Sequence, residues 1–575
     1  MWSRRALAGA ALATLLGCPA HAQIEDSWLE QVDPWGISYL AEDEPAFRTR
    51  MWRGARSEEL LPLLEAARTG GLTPAERMLM RRLALSPSRA PADAQSAALL
   101  AERARLAFEL GEAPAAAGQF ARLQSPPEGV DGAAMAADLN LSLGNEATAC
   151  EALGTPDLEG EYWARLRAVC AALAGNTSGA ELAMEMAQAQ GVKDNWLSGA
   201  IYAASGETPN PPKARFDSGI AFAMSTRANL EVEPDAVPED RPDLAAAIAR
   251  RKLMPPPVRV RAAGIAARAG LISPEEYRTA YNSALSADGF TPSTALDKAI
   301  FIASDGLTSA TEKSKALAAA LKAAAGKADR YTAVASLLLP DIQRLPTGPE
   351  TDNEALAFAR AAVAAGNYAE AQRWVTPPEP EIVPVEVPAE AEEELPAEDA
   401  IEPATEEPVE ETSEEPVDEA PPPEPVLPSF DQAWLSALAI LADAEAEPDA
   451  IAGTARTLMT VAETSAQKHA AARILALWAA AGTAPPSDAR AFMTAESEPV
   501  PKSATAGKAL GALAAARSGT AVEVVLTTLA LTNGDPSKLD LASLTLLLGA
   551  LQDVGAEDAA RRLAVESTGY WKAQK

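Results

Sequence analysis

An all-α fold of antiparallel helix hairpins stacked as an α-solenoid is what this 575-residue chain predicts. Three observations carry that prediction. Hydrophobic residues make up 48% of the chain while aromatics reach only 5%, and alanine supplies much of the apolar count. Alanine is the strongest helix former and adds little bulk, so it suits closely packed helices. No regular succession of Val/Ile/Thr-rich alternating runs marks strands. Finally, one spacing recurs: a glycine, an alanine five residues later, and a small residue seven before.

The chain opens MWSRRALAGAALATLLGCPAHAQ. Arg4 and Arg5 precede an apolar stretch, Ala6 to Leu16, that is too short to span a bilayer, and Ala20-His21-Ala22 offers a small-x-small cleavage site. Residues 1–22 therefore read as a secretory signal peptide. The Ser3-Arg4-Arg5 run also resembles a twin-arginine signal, and Leu15-Leu16-Gly17-Cys18 resembles a lipoprotein box that would anchor Cys18 to lipid. The Ala-His-Ala site is the better of the two cleavage signals. No later stretch has the length and apolarity of a transmembrane helix, so the expected location is the bacterial periplasm.

Residues 23–225 follow as a first helical repeat domain. Ser57 to Arg68 ends at Gly70-Gly71, and Thr73-Pro74 opens the next helix with proline in its first turn. The recurring spacing is Gly111 with Ala116, Gly144 with Ala149, and Gly175 with Ala180, preceded by Ala104, Ala137 and Ala168. The physical reason is that two helices meeting at close range need small facing residues, and glycine adopts the positive φ of the turn without strain. Cys150 and Cys170 fall in this domain, an even pair in an oxidising compartment. A tight turn at Gly154 to Asp157 would offset them by about 13 Å along antiparallel helices. A disulfide then requires the first helix to end early or the helices to cross steeply.

Residues 240–376 form a middle helical domain. Ser273-Pro274-Glu275-Glu276 is a helix start. The spacing returns at Gly366 and Ala371 within AAVAAGNYAEAQRWV, preceded by Ala359. A last copy, Gly555 and Ala560, has Leu548 at the preceding position. The first three glycines are 33 and 31 residues apart, close to the 34-residue tetratricopeptide period. The chain resembles a degenerate tetratricopeptide-like array, and Tyr368, Glu370 and Ala371 match that family's second-helix opening. The resemblance implies a stacked superhelix that holds other proteins. The family's large first-helix aromatic and closing proline are mostly missing.

Residues 377–428 differ from the rest, with 19 acidic residues, 14 prolines, and no lysine or arginine. Such a composition buries too little apolar surface to offset chain entropy. It is expected to be a disordered, extended linker. Residues 429–575 form a C-terminal helical domain, with helices over Phe430 to Ala446 and Ile451 to Gly482, a turn at Thr532-Asn533-Gly534-Asp535-Pro536, and hairpins to Lys572.

The net charge of −32 argues against nucleic acid and against an anionic membrane surface. No HExxH, GxSxG, P-loop or dinucleotide fingerprint is present. Ser465-Ala466-Gln467-Lys468 reads as S-x-x-K, but a K-T-G partner is lacking. His469 is the one histidine left after cleavage, so it completes neither a triad nor a metal site. No catalytic, cofactor or metal site is expected. One basic cluster interrupts the acidity: Arg250, Arg251, Lys252, Arg259, Arg261 and Arg268, with no acid among them. It reads either as solvated helix ends or as an anionic docking patch, whose partner would be the chain's own linker or an envelope polymer. Trp28, Trp35, Trp374 and Trp434 read as core or end-capping residues ahead of binding anchors. The function expected is a non-catalytic periplasmic scaffold for other envelope proteins, in a motility, secretion or cell-wall machine. The alternatives are an anionic-polymer-binding module using the 250–268 cluster, and a cell-wall enzyme with an unrecognised site.

Overall fold

The structure, a computed structural model, describes residues 33–52, 56–91, 96–123, 126–155, 158–206, 208–287, 290–375, 428–496 and 506–572. The expected leader, Cys18, Trp28 and the linker through residue 427 lie outside the described residues.

The described residues form helices and turns, with no strand among them. The first run is α1 (Ser57–Glu65), α2 (Pro74–Leu85), α3 (Ser96–Glu109), α4 (Ala113–Phe120), α5 (Gly132–Ser142), α6 (Glu146–Glu151), α7 (Glu161–Leu173), α8 (Thr177–Ala189), α9 (Asn195–Ser205) and α10 (Gly219–Arg227). The second is α11 (Pro242–Arg250), α12 (Pro256–Arg268), α13 (Pro274–Leu285), α14 (Ala295–Ser304), α15 (Ala310–Ala324), α16 (Ala328–Gln343), α17 (Ala355–Ala364) and α18 (Tyr368–Val375). The third is α19 (Phe430–Ala442), α20 (Pro448–Val461), α21 (Ser465–Ala480), α22 (Ser487–Ala495), α23 (Ala506–Ser518), α24 (Ala521–Thr532), α25 (Leu541–Asp553) and α26 (Glu557–Glu566).

Local chemistry sets the starts. Thr73 with Glu76, Ser273 with Glu276, Thr294 with Asp297, Ser429 with Gln432 and Thr464 with Gln467 each form a capping box. Each box satisfies two amide groups that the helix cannot pair internally. The stretch expected as one helix from Ile451 to Gly482 is two, because Ala462 leaves the helix and Thr464 caps a new one.

Neighbours in sequence pack as neighbours in space: α3 on α4, α7 on α8, α11 on α12, α14 on α15, α17 on α18 and α25 on α26. Three features go beyond an open row of hairpins. First, α10 turns back onto α5 and α7. Its N-terminus is seated on Asp138, whose carboxylate accepts from Gly219 N at 2.8 Å and Ile220 N at 3.1 Å. A Cβ on Gly219 would lie 1.8 Å from the Asp138 carbonyl oxygen, so only glycine allows this approach.

Second, the two ends of the array meet. Helix α2 packs on α24 and α26. Ala75 N donates to Glu566 at 2.9 Å, Gly534 N to Glu76 at 2.8 Å, and the Arg82 guanidinium to Gly555 O at 2.9 Å. Third, α18 and α19, which flank the acidic segment, pack directly on each other. The segment therefore leaves and rejoins the array at adjacent helices.

Candidate functional site

The recurring spacing corresponds to one hairpin geometry. Gly111, Gly144, Gly175, Gly366 and Gly555 have φ of 83°, 79°, 77°, 76° and 79°. In each, the residue after the glycine donates its amide to a carbonyl five positions back, as Asn145 does to Asn140 and Asn367 to Ala362. This closes the first helix with a Schellman-type turn. Ala116, Ala149, Ala180, Ala371 and Ala560 are buried, as are Ala104, Ala137, Ala168, Ala359 and Leu548. The same turn occurs at Gly191, Gly270, Gly482, Gly519 and, with asparagine in the left-handed conformation, Asn229. The spacing misses these because no alanine follows five residues later. Their second helices are entered by Trp196, Glu275, Ser487, Val524 and Pro234.

Arginines tie the hairpins together by donating to carbonyls at the ends of neighbouring helices. Arg77 reaches Leu110 O at 3.2 Å, Arg103 reaches Ala84 O at 2.7 Å, Arg561 reaches Ala481 O at 3.0 Å and Arg562 reaches Ala364 O at 2.6 Å. The last carbonyls of a helix lack internal partners and carry partial negative charge, so a guanidinium satisfies both. Arg103 is fully buried, and burial pushes its pKa down to about 10.

This usage accounts for two of the six residues in the basic cluster, Arg250 and Arg259. Arg250 caps α12 through Leu271 O at 2.8 Å and bonds Glu276 at 2.7 Å, holding that carboxyl below its usual range. Arg259 is buried and donates to Ala249 O at the end of α11 at 3.2 Å and to Ser283 at 2.7 Å. Arg251 lies 4.6 Å over the Phe222 ring. Lys252 is exposed in the α11–α12 loop. Three of these four are held by separate partners, and Lys252 faces solvent.

The remaining two, Arg261 and Arg268, line a single open cleft of about 570 Å³ between α12, α13, the α13–α14 loop and the facing ends of α15 and α16. Arg330, in the first turn of α16, joins them there. Sequence reading missed Arg330 because it lies 62 residues beyond Arg268 and outside any basic run. The Tyr277 and Tyr281 rings, 5.5 Å apart, form the floor, and Phe290 stands at the edge. Burial pushes the Tyr277 hydroxyl up to about 12. Gly264 makes room for it: a Cβ there would be 3.1 Å from the Tyr277 hydroxyl. Of the cleft's acids, Glu239 faces Arg261 at 3.6 Å. Asp297 accepts from Thr294 N at 2.8 Å and from the Tyr281 hydroxyl at 3.2 Å. Burial alone would raise the Asp297 pKa, but its hydrogen bonds from Thr294 and Ser293 hold it low.

Cys150 and Cys170 are disulfide-bonded, with Cα atoms 5.7 Å apart. The early helix end that the pairing required is present: α6 is six residues long and closes in a 3-10 turn at Ala152–Gly154. The connection to α7 runs on to Gly160, which brings Cys170, near the end of α7, beside Cys150.

The other residues singled out in sequence have structural places. Ser465 opens α21, and Lys468 faces Glu496 at 3.9 Å. His469 is half-buried on the same helix. Trp35 is buried edge-on against Trp52. Trp374 is buried against Phe358 and donates to Glu370 at 2.7 Å. Trp434 is half-buried on α19. Among the described residues no cluster of His, Cys, Asp or Glu is placed to hold a metal ion, and no helix is long and apolar enough to cross a membrane. Comparison with protein-family models, curated proteins and solved structures gives no match.

Proposed function

We propose that this chain is a non-catalytic scaffold of the bacterial envelope, exported to the periplasm, that binds other envelope proteins through a degenerate tetratricopeptide-like surface. The observation that carries the reading is the serial use of one hairpin geometry at Gly111, Gly144, Gly175, Gly366 and Gly555, with alanines buried on both sides. Such stacking consumes one face of each helix and leaves long flanks for partners. On one flank Leu182 and Met186, a turn apart on α8, are 58% and 56% exposed. Exposed apolar residues at helical spacing are a feature of docking surfaces. The Cys150–Cys170 pair supports the expected compartment, since disulfides persist under oxidising conditions.

The test is crosslinking in living cells followed by purification of the chain, beside a Leu182→Glu, Met186→Glu variant. Defined envelope proteins recovered with the parent and lost with the variant support the reading. Recovery no different from an unrelated periplasmic protein of equal charge refutes it.

A further inference from the structure

We propose that the cleft between α12, α13 and α16 is the docking site of the chain's own acidic, proline-rich segment, residues 377–428. The inference is independent of the scaffold reading.

Many guanidinium groups in the fold are spent on helix ends or on carboxylates, while Arg251 lies on the Phe222 ring and the buried Arg360 Nε has no partner among the described residues. Arg268 and Arg330 make no hydrogen bond or ion pair among the described residues. Arg261 and Arg268 are seven residues apart on α12, two turns along one face. Arg330 lines the same cleft with Tyr277 and Tyr281. Asp297 is committed to the α14 cap, and Asp329 lies at an adjoining cleft that Arg77 and Arg268 also line, with no ion pair between Asp329 and Arg268. The open face is thus cationic above an aromatic floor.

That surface suits one composition. Guanidinium groups pair with carboxylates through charge-assisted hydrogen bonds, and tyrosine and phenylalanine rings receive prolines of an extended chain. Residues 377–428 offer 19 carboxylates and 14 prolines with no cation to compete.

Reach favours the same occupant. The segment departs from α18, which packs on α17, which packs on α16. Two helix spacings amount to about 20 Å, and the length of α16 adds at most about 24 Å. An extended chain advances about 3.1 Å per residue. Roughly 15 residues therefore reach any part of the cleft, and the segment still has ample length to return to α19. Tethering also supplies an effective concentration on the order of millimolar, which makes a modest intrinsic affinity sufficient.

The experiment uses the purified full chain and a form in which a short Gly/Ser bridge replaces residues 377–428, a change the direct packing of α18 on α19 permits. Hydrogen–deuterium exchange is compared over residues 257–268 and 290–297. A fluorescent peptide spanning residues 377–400 is then titrated into both proteins. We expect faster exchange in both stretches once the segment is removed. We expect the peptide to bind the shortened protein, and to bind the full chain about tenfold or more weakly because the tethered segment competes. Arg268→Glu with Arg330→Glu in the shortened protein should abolish peptide binding while leaving its helical circular dichroism unchanged. Unchanged exchange overturns the proposal whether or not the double variant folds. So does a peptide that binds both proteins equally, or one that ignores the charge reversal. An exchange difference that vanishes on dilution would assign the cleft to a second copy of the chain and overturn the tethered reading.

Discussion

Replacing Glu566 by glutamine should make the protein markedly more stable at pH 8 and only about 1 kcal/mol more stable at pH 5. Glu566 is fully buried where α26 meets the start of α2. One oxygen accepts from Ala75 N at 2.9 Å, and the other is buried with no partner among the described residues. Burial is the main reason its carboxyl is pushed up to about 7, with the nearby Glu76 carboxylate adding to the effect and Arg562, 3.5 Å away, opposing it. In the unfolded chain the same carboxyl titrates near 4.3. Between those values the native protein holds a proton that the unfolded chain has released, so stability falls as pH rises. Below about 4.3 both states are protonated, and above about 7 both are ionised, so the slope vanishes on either side. The full difference is about 4 kcal/mol. Glutamine keeps the acceptor for Ala75 N and removes the charge. Arg562 retains Val363 O, Ala364 O and the Tyr368 and Tyr570 hydroxyls as acceptors. Urea denaturation followed by circular dichroism at pH 5, 6, 7 and 8 reads the effect directly. A Glu566→Gln protein that is less stable than the parent at pH 8, or whose slope between pH 5 and 7 matches the parent's, would refute the reasoning.

Other perturbations separate roles that look alike in sequence. Gly111→Ala should cost more than Gly555→Ala: both residues have positive φ, worth about 1 kcal/mol. A Cβ at residue 111 would also meet Leu271 at 2.5 Å, whereas none is within 4 Å at 555. Urea midpoints of the two variants should differ in that order. Arg259→Met should destabilise by about 1–3 kcal/mol by leaving Ala249 O without its buried donor, while Arg268→Met should fall within about 0.5 kcal/mol of the parent; equal effects in the same denaturation assay would contradict these assignments. Cys150→Ser with Cys170→Ser should lower stability by about 2–4 kcal/mol, and a reductant should shift the parent's urea midpoint but not the variant's.

The hairpin geometry was legible because it is local. A glycine in the turn, an alanine five after and, in four of the five copies, an alanine seven before are set by two helices touching, and all three lie within thirteen residues. Gly191, Gly270, Gly482 and Gly519 make the same turn without the alanine, so only their φ values reveal them. The basic cluster was legible as composition and opaque as function. Nothing in ARRKLMPPPVRVRAAGIAAR says that Arg259 is turned inward to Ala249 O while Arg268 lines a cleft with Arg330. Direction around a helix depends on which neighbours cover it, and here the covering helices are α11, α13 and α16.

The meeting of the ends changes how the array should be understood. An open solenoid must finish each end with a polar cap because its terminal repeat has one neighbour. Here the uncovered face of α2 is closed by α24 and α26, and the bonds that join them link residues more than 450 positions apart. No periodic pattern could announce them, since they belong to no repeat. Their chemistry is also unlike that of the hairpins. Glu76 accepts from Thr73 N, Gly534 N and the Thr532 hydroxyl, and Glu566 accepts from Ala75 N, so two buried carboxylates sit at one seam. Alanine packing holds neighbouring hairpins together at any pH. Closure of the first helices against the last depends on buried acids, one of which carries its charge at a cost that grows with pH. The stability of the seam is therefore open to solution conditions, although its residues are as buried as any in the core.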